Sequence, residues 1–333
     1  MLETLTAKLR LGVNLTGGDV AVACDHLFDE DVALSVRADF LRALHFKGET
    51  PAEIAAFVDV LLARSVRPSL GEGLLDVCGT GGDRAGLFNV STAVMFVAAA
   101  CGARVVKHGN RGITSKCGGA DVLEALGIRV DLPPEAALNA AGCCFLFAPL
   151  YHPAFKVVAP VRKALAEEGS ATIFNLLGPL LNPARPDFQL AGVFHRKLLP
   201  IYAETFELLG RRSAWAVHGA GGLDEVSTLG PSEVYAIEAG EMRRFSIQPG
   251  ALGFAPAVIG DLHGSDAMEN ARLLENLLLG EQGPKRDIVV LNSACALVVA
   301  GVSADLSDAL GRSRLALDDG SAHTVLRRLR EVR

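Results

Sequence analysis

The chain has 333 residues, of which 50% are hydrophobic, 21% are charged and 6% are aromatic, and its formal net charge at pH 7 is −6. This hydrophobic content excludes intrinsic disorder, and the acidic balance excludes a general surface for nucleic acid or anionic membranes, which needs a basic face. The uncharged apolar stretch at residues 288–304 is shorter than the roughly 20 residues that cross a bilayer, so we expect no membrane span there.

Cysteine usage and the first residues of the sequence predict the compartment. The thiols are odd in number and scattered without metal-ligand spacing, at Cys24, Cys78, Cys101, Cys117, Cys143, Cys144 and Cys295. Such a set is typical of reduced thiols. Residues 1–13 show no signal-peptide pattern. We therefore expect a cytoplasmic protein.

The first 67 residues have helical patterns. Apolar residues at three- and four-residue spacing predict a helix over residues 31–44. Thr50, Pro51 and Glu53 then provide an N-cap, a first-position proline and an acid in the first turn, which predict a helix from residue 51 to about 65. Residues 68–73 have the composition of a linker.

After the linker, short apolar runs alternate with glycine-bounded helical patterns. Strands are predicted at residues 74–78, 104–107, 144–147, 188–194, 214–218 and 233–237, and helices at 91–101 and 120–126. This alternation predicts an α/β domain with a mostly parallel central sheet.

A predicted helix over residues 153–165 and a Gly/Pro-rich run at residues 175–183 interrupt the alternation. We expect these segments to pack on the N-terminal helices. The predicted architecture is a small all-helical domain of residues 1–70, completed by about 153–185, and a larger α/β domain of residues 71–152 and 186–333. The active site is expected in the cleft between them.

A glycine-rich loop follows the first strand, and polar residues open the next helix. Gly79, Gly81 and Gly82 let main-chain N–H groups converge on an anion, and a helix start adds further donors. The loop suits a phosphate or diphosphate, although a simple tight turn with an N-cap is an equally open interpretation of the glycines alone. Its spacing is neither a P-loop nor a dinucleotide-binding fingerprint.

A basic loop follows the second strand, at residues 107–116. It contains Lys107, His108, Asn110, Arg111 and Lys116. The carboxyl ends of parallel strands are where ligands bind, so both loops are expected at one crevice. The alternative is a solvated basic loop.

Two further groups could carry chemistry. Adjacent acids at Asp224 and Glu225 suit a hard cation such as Mg²⁺ bridging to phosphates, unless they are simple surface acids. Near the interrupting helix, the guanidinium of Arg162 suits a carboxylate, and His152 lies upstream of it, although a lone helical arginine is often only solvated.

In their order along the chain, these motifs closely resemble those of the anthranilate phosphoribosyltransferases. The resemblance extends from about residue 41 to 322 and includes residues 120–124 (Ala-Asp-Val-Leu-Glu), 175–183, 223–225 (Leu-Asp-Glu) and 292–294 (Asn-Ser-Ala). It implies attack by the amine of anthranilate on 5-phosphoribosyl 1-diphosphate, with release of diphosphate, in tryptophan biosynthesis. It also implies Mg²⁺ as cofactor and a homodimer formed through the helical domain.

The resemblance assigns roles residue by residue. The sugar diphosphate would be bound by Gly79, Thr80, Gly81, Gly82, Asp83, Asn89, Ser91, Thr92, Lys107 and Gly119. Mg²⁺ would be bound by Ser91, Asp224 and Glu225. Anthranilate would be bound by Gly79, His108, Asn110, His152 and Arg162.

This chain departs from the family pattern in two places that bear on the substrates. Gly119, with Cys117 nearby, stands where the family has a serine-rich loop, and residues 166–171 form a longer, acidic link after Arg162. Three alternatives therefore stay open: transfer to another aromatic amine, a pyrimidine nucleoside phosphorylase, and a non-catalytic nucleic-acid-binding paralogue.

Overall fold

The computed structural model describes residues 1–81, 85–112 and 116–333. The elements in chain order are α1 (Leu2–Arg10), α2 (Gly17–Leu27), α3 (Leu34–Lys47), α4 (Pro51–Ala63), β1 (Leu74–Gly79), α5 (Val90–Ala100), β2 (Arg104–Gly109), α6 (Gly119–Ala125), α7 (Pro134–Ala141), β3 (Cys143–Phe147), α8 (Ala148–Tyr151), α9 (Phe155–Glu167), α10 (Phe174–Leu177), β4 (Phe188–Gly192), α11 (Leu198–Leu208), β5 (Ser213–Gly219), β6 (Ser232–Glu238), β7 (Glu241–Ile247), α12 (Ala267–Leu278), α13 (Pro284–Val299), α14 (Leu306–Asp318) and α15 (Ser321–Glu331). Among the described residues, no helix is long and apolar enough to cross a membrane.

The chain divides into two compact units, each built from two segments. The helical unit comprises Met1–Arg67 and Pro149–Pro183, and the α/β unit comprises Pro68–Ala148 and Ala184–Arg333. Within the helical unit, α3 packs on α9, and the Val66 N–H donates to the Tyr151 carbonyl at 2.8 Å.

Helix α4 begins as its sequence predicts. The Thr50 hydroxyl accepts from the Glu53 N–H at 3.3 Å, and the Glu53 carboxylate accepts from the Thr50 N–H at 2.9 Å, which completes a capping box. The same carboxylate is buried and pairs with Lys47 at 2.7 Å. The capping box and the Lys47–Glu53 ion pair share one carboxylate, and together they join the end of α3 to the start of α4.

Helix α9 begins two residues later than predicted. Short-range bonds from Phe155 N–H to His152 carbonyl and from Lys156 N–H to Pro153 carbonyl form a turn first. Pro153 has no N–H to donate, and the residues around it form a turn before the helix begins. His152 therefore lies between α8 and α9 and shares no helical face with Arg162.

Within the described residues, seven strands form one sheet in the order β3-β2-β1-β4-β5-β6-β7. Strands β1 to β5 pair in parallel, whereas β6 and β7 are antiparallel. Helices α5 and α13 pack together, and α5 covers β1 and β2 while α13 covers β4. The predicted fold class, a helical domain with a larger and mostly parallel α/β domain, is confirmed.

The sheet has its topological switch point at β1. The chain runs from β1 outward to β2 and β3, and then returns to the other side of β1 through β4. Ligands bind at the carboxyl ends of strands beside such a point. Among the described parallel strands, β1, β2, β4 and β5 each end in a glycine: Gly79, Gly109, Gly192 and Gly219.

Candidate active site

The first glycine loop leaves β1 at the switch point. The Thr80 N–H donates to the Gly192 carbonyl at 2.9 Å, and the Thr80 hydroxyl accepts from the Phe194 N–H at 3.0 Å. Gly81 has φ +66°, a conformation that favours glycine. Gly82 and Asp83, which the sequence also assigns to this loop, lie outside the described residues.

The nearly buried Asp224 reaches this loop from the segment after β5. Its Oδ2 accepts from the Gly81 N–H at 2.7 Å. A Cβ at Gly79 would overlap the Asp224 carboxylate, and one at Gly192 would overlap the Asp224 main chain. The absence of side chains at these two strand ends is what lets Asp224 lie directly over β1 and β4.

The acidic pair Asp224–Glu225 is held by the segments on both sides of it. The turn before it has two glycines at positive φ, Gly221 (+84°) and Gly222 (+77°). After it, the Val226 N–H donates to Asn292 Oδ1 at 2.9 Å, and Asn292 Nδ2 donates to the Val226 carbonyl at 2.8 Å. Sequence reasoning gave Asn292 no role, because nothing local to helix α13 shows that it faces residue 226.

Lys107 lies on β2 with its side chain buried beside β1. Its ammonium donates to the Val77 carbonyl at 2.7 Å and to Ser91 Oγ at 3.0 Å. Ser91 is in the first turn of α5, and Thr92 next to it is buried. A cation and the amino end of a helix thus meet here, which is a favourable setting for an anion.

A second network surrounds Asn89, which immediately precedes α5. Its side-chain amide donates to the Cys117 carbonyl at 3.2 Å, and its Oδ1 accepts from Asn270 Nδ2 at 3.0 Å and from Cys117 Sγ at 3.3 Å. Asn270 is buried on α12 and is a second residue that sequence reasoning missed. Asn89 therefore links α12 to the loop before α6.

The basic loop after β2 is folded around Asp121. That carboxylate accepts from the N–H groups of Gly112, at 2.9 Å, and Gly118, at 2.8 Å. Burial raises the pKa of Asp121, but these bonds and Arg111 outweigh burial and hold the pKa below its ordinary value. Arg111 forms ion pairs with Asp121 and Glu124, so it stabilises the fold of the loop. Thr114 and Ser115 lie outside the described residues.

The remaining residues predicted for the α/β unit lie at the same edge of the sheet. The His108 N–H donates to the buried carboxylate of Asp76 at 3.3 Å, and the Asn110 carbonyl accepts from the Ala120 N–H at 3.2 Å. A Cβ at Gly119 would make ordinary contact with Phe145 and with Thr92 Oγ1, at 3.4 and 3.6 Å. The space at Gly119 therefore accommodates a small side chain.

Two predicted residues belong to the helical unit. His152 is buried, and its Nε2–H donates to the Leu181 carbonyl at 2.8 Å. Burial lowers the pKa of this imidazole, although its bond to Leu181 opposes the shift. Arg162 is half-buried with its guanidinium 5.1 Å from the centre of the Phe174 ring, and burial lowers its pKa as well.

The acidic link at residues 166–171 continues helix α9 to Glu167 before the chain turns at Gly169, where φ is +73°. Glu168 pairs with Arg42 on α3 at 2.6 Å. Because both side chains are about half exposed, this pair contributes little to stability, about 0–1 kcal/mol. The link extends the helix and leaves Arg162 well inside it.

Oxygen donors from three elements line one small cavity. Ser91 from α5, Glu225 from the acidic pair and Asn292 from α13 all contribute to its wall. In the part of the chain that the structure describes, no group of three or more His, Cys, Asp or Glu side chains could hold a metal on its own. Of the residues that the resemblance assigns to Mg²⁺, Ser91 and Glu225 line this cavity, whereas Asp224 is next to Glu225 and accepts from the Gly81 N–H. Carboxylate and hydroxyl oxygens suit Mg²⁺, which usually completes its coordination with water and substrate phosphates.

The cysteines beside this region are poor nucleophiles. Burial raises the pKa of the Cys78 thiol well above its ordinary value and also raises that of Cys117. Both thiols are therefore protonated at neutral pH, and the thiolate is the reactive form. The arrangement can bind and orient charged oxygens, such as those of a phosphorylated ligand.

Two family models match the chain. A glycosyl transferase family helical bundle domain matches residues 3–65, and a glycosyl transferase family a/b domain matches residues 71–323. Together they cover most of the chain, which is therefore a glycosyl transferase with a helical bundle domain.

Comparison with individual proteins identifies the family within this class. The anthranilate phosphoribosyltransferase of Methylobacterium nodulans is 45% identical over 326 residues, which cover 97% of this chain and 96% of that protein. The crystal structure of the Thermus thermophilus anthranilate phosphoribosyltransferase matches this chain with a TM-score of 0.89 and a sequence identity of 39%. The match covers 98% of both chains. The Saccharomyces cerevisiae anthranilate phosphoribosyltransferase in complex with PRPP and Mg is 26% identical with a TM-score of 0.86, covering 98% of this chain and 96% of that one. The chain belongs to the anthranilate phosphoribosyltransferase family, and the resemblance seen in its motifs is confirmed.

Proposed function

We propose that this chain transfers the 5-phosphoribosyl group from 5-phosphoribosyl 1-diphosphate (PRPP) to the amine of anthranilate and releases diphosphate, in tryptophan biosynthesis. The observation that carries the proposal is that Lys107 bonds to Ser91, which lines one small cavity with Glu225 beside the carboxyl ends of β1 and β4, in a chain of this family. A diphosphate leaving group needs a cation, N–H donors and carboxylates for a bridging metal in one place.

The phosphate side of the substrate is assigned to the glycine loop and the start of α5. The residues proposed to bind PRPP are Gly79, Thr80, Gly81, Gly82, Asp83, Asn89, Ser91, Thr92, Lys107 and Gly119. Breaking the bond between the sugar and diphosphate places negative charge on the departing oxygens. The Lys107 ammonium, which Val77 and Ser91 already hold in place, would stabilise that charge in the transition state without reorganising.

Mg²⁺ is proposed to be held by Ser91, Asp224 and Glu225, whose hard oxygen donors suit that ion. When bound, Mg²⁺ would neutralise charge on the diphosphate. The protein's own part is to fix the two carboxylates: Gly81 and Asn292 do so through hydrogen bonds on either side of the pair. The yeast relative in complex with PRPP and Mg supports the same ion for this chain.

The residues proposed to bind anthranilate are Gly79, His108, Asn110, His152 and Arg162. Arg162 is the cation proposed for the carboxylate, since a guanidinium can donate two parallel hydrogen bonds. Burial lowers the pKa of His152 and favours its uncharged form, and this residue is proposed to shape the site rather than to carry a proton. The amine of anthranilate is a neutral, weak nucleophile, so positioning is the main requirement.

We further propose that the chain forms a homodimer through the helical unit and acts in the cytoplasm, without nucleic-acid or membrane partners. The helical unit exposes apolar side chains at Leu11, Val13 and Phe46, with exposed fractions of 81%, 46% and 92%. Lys47 Nζ donates to Asn14 Oδ1 at 2.9 Å, so the segments that carry these side chains lie near one another. Light scattering of the purified chain would give twice the 35.0 kDa chain mass for a dimer.

The acceptor is tested by product identification. The purified chain is incubated with PRPP, Mg²⁺ and an equimolar mixture of anthranilate and other aromatic amines, and the ribosylated products are resolved by mass spectrometry. We expect N-(5-phosphoribosyl)anthranilate to dominate. Preferential use of another amine would reject anthranilate as the acceptor, and phosphorolysis of a pyrimidine nucleoside in a parallel reaction would favour the phosphorylase alternative.

A further inference from the structure

We propose that Asn292 is a positioning residue that sets the place of the Asp224–Glu225 pair and, through it, the affinity of the enzyme for Mg²⁺. This inference rests on the proposed function, because it takes the acidic pair as the metal site. Asn292 lies on α13, 66 positions from the residue that it holds, and it is not among the residues assigned to substrates or metal.

The contacts of Asn292 are specific to an amide. Its Oδ1 accepts from the Val226 N–H at 2.9 Å, and its Nδ2 donates to the Val226 carbonyl at 2.8 Å and to the Ile288 carbonyl at 2.8 Å. The bond to Ile288, one turn earlier on the same helix, fixes the side-chain direction. The other two bonds satisfy both main-chain groups of the residue that follows Glu225.

Burial makes these bonds important for position. Asn292 is 1% exposed and Val226 is fully buried, so water is not available to replace a lost partner. Hydrogen bonds in such surroundings are electrostatically stronger, and an unpaired group there is costly. The main chain just after Glu225 therefore has one favourable location, opposite the amide of Asn292.

Glycines limit the pair from the side of the sheet. A Cβ at Gly192 would overlap the Asp224 main chain, and a Cβ at Gly219 would overlap the Glu225 carbonyl. The segment thus lies between the strand ends and α13, with main chain in close contact on one side and Asn292 on the other. Without Asn292, the segment that carries Asp224 and Glu225 could move only away from the strands. Glu225 and Ser91 would then no longer line the same cavity.

The test compares Asn292→Ala and Asn292→Leu with Leu297→Ala, a fully buried residue on the same helix outside these contacts. The Mg²⁺ concentration for half-maximal rate and the KM for anthranilate are measured for each, together with the melting temperature. Calorimetric titration of Mg²⁺ in the presence of diphosphate gives a second readout that does not depend on turnover.

We expect Asn292→Ala to raise the half-maximal Mg²⁺ concentration at least tenfold and to weaken the calorimetric affinity similarly, with the anthranilate KM within twofold of wild type. Leu297→Ala should lower the melting temperature without changing either Mg²⁺ value. Asn292→Leu keeps a side chain of similar size and adds no charge, but it loses all three hydrogen bonds; it should also raise the Mg²⁺ requirement, and it carries the test if the alanine variant does not fold.

Unchanged Mg²⁺ values in both Asn292 variants, or an equal change in Leu297→Ala, would overturn the positioning role while leaving the proposed function intact. A wild-type enzyme that transfers phosphoribosyl groups without any response to Mg²⁺ would instead reject the metal assignment itself, and the inference with it. The wild-type titration therefore separates the two failures.

Discussion

The Asp224 carboxylate and the Gly81 main chain are joined by a hydrogen bond of 2.7 Å, although the two residues are 143 positions apart. This bond links the glycine loop after β1 to the acidic pair after β5. The loop proposed for the diphosphate and the carboxylates proposed for its metal are therefore fixed relative to each other. A change that moves Asp224 should disturb both functions together.

Gly192→Ala should move Asp224 most directly. The new Cβ would overlap the Asp224 carbonyl group, and neither backbone can yield easily because Gly192 ends the central strand β4. Overpacking of this kind costs about 1–3 kcal/mol of unfolding free energy, and a displacement of about 1 Å in an active site can cost about 100-fold in rate. Steady-state kinetics and urea unfolding measure the two effects.

The matched control for this substitution is Gly311→Ala. Gly311 lies inside α14, and a Cβ there would have no neighbour within 4 Å. Alanine in a helix interior is favoured over glycine by about 1 kcal/mol, so this variant should keep full activity with equal or higher stability. An active Gly192→Ala enzyme would show that the position of Asp224 tolerates change.

Lys107→Met should weaken PRPP binding. Methionine keeps an unbranched chain but loses the ammonium that donates to Val77 and Ser91. A hydrogen bond to a charged group is worth about 1.5–3 kcal/mol, so we expect the KM for PRPP to rise about 10- to 100-fold with little change in that for anthranilate. Lys285→Met, whose exposed side chain donates to the Asp261 carbonyl, is the control. Similar KM values in the two variants would argue against Lys107 as a phosphate ligand.

Arg162→Ala should affect the other substrate. Loss of the proposed carboxylate partner should raise the KM for anthranilate at least tenfold and leave that for PRPP within twofold. Arg162→Lys keeps the positive charge but lacks the planar guanidinium. Its KM for anthranilate should therefore lie between those of wild type and Arg162→Ala. Lys163→Ala, at a neighbouring position whose side chain is 81% exposed, is the control. Equal effects of Arg162→Ala on both substrates would remove Arg162 from the anthranilate site.

Glu53 should make the helical unit sensitive to acid. Burial raises the pKa of this carboxyl, but bonds from the N–H groups of Leu15 and Thr50 and from Lys47 outweigh burial and hold the pKa below its ordinary value. A carboxyl whose pKa is lower in the folded state stabilises the fold above its unfolded pKa, and that contribution is lost as the pH falls through the folded pKa.

Glu53→Gln should therefore reduce the unfolding free energy at pH 7 by about 3–5 kcal/mol, because the Lys47 ammonium loses its carboxylate partner and keeps only the uncharged acceptors of Asn14 and Gly48. The penalty should shrink at pH values below about 4, where the wild-type pair is progressively lost. Urea unfolding at neutral and at acidic pH measures both values, with Glu3→Gln, at an exposed first-turn acid in α1, as the control. A pH-independent penalty would contradict the pKa direction.

Local signals predicted much of the fold. The Thr50 cap and Pro51 set the start of α4, and strand–helix alternation with glycine at the joints predicted the parallel strands within one or two residues. Strand β7 was not predicted, since its exposed residues at 241–246 have no apolar alternation and its place depends on pairing with β6. The start of α9 was predicted too early because a proline fits both a turn and a helix start.

The candidate site was predictable where residue type reveals chemistry. Lys107, Asp224 and Glu225 stand out as charges beside glycine loops, whereas Asn292 and Asn270 are uncharged residues inside helices whose partners come from distant segments. Gly192 likewise looks like any strand end until Asp224 is placed over it. Such residues are defined by long-range proximity, which periodicity and spacing do not encode.

Asp224→Asn combined with Glu225→Gln should remove the proposed metal carboxylates without changing shape. We expect at least a 100-fold loss of rate at limiting Mg²⁺, partial recovery at high Mg²⁺, and an unfolding free energy within about 1 kcal/mol of wild type. Asp305→Asn combined with Asp308→Asn, at the exposed start of α14, controls for the loss of two charges. Unchanged rates at limiting Mg²⁺ would contradict the metal assignment.

The most direct measurement follows the fluorescence of anthranilate after PRPP is added to the wild-type chain, with and without Mg²⁺. We expect a loss of signal that requires enzyme, PRPP and Mg²⁺ together, with release of one diphosphate for each anthranilate consumed. A constant signal under all of these conditions, while PRPP still binds by calorimetry, would contradict phosphoribosyl transfer to anthranilate.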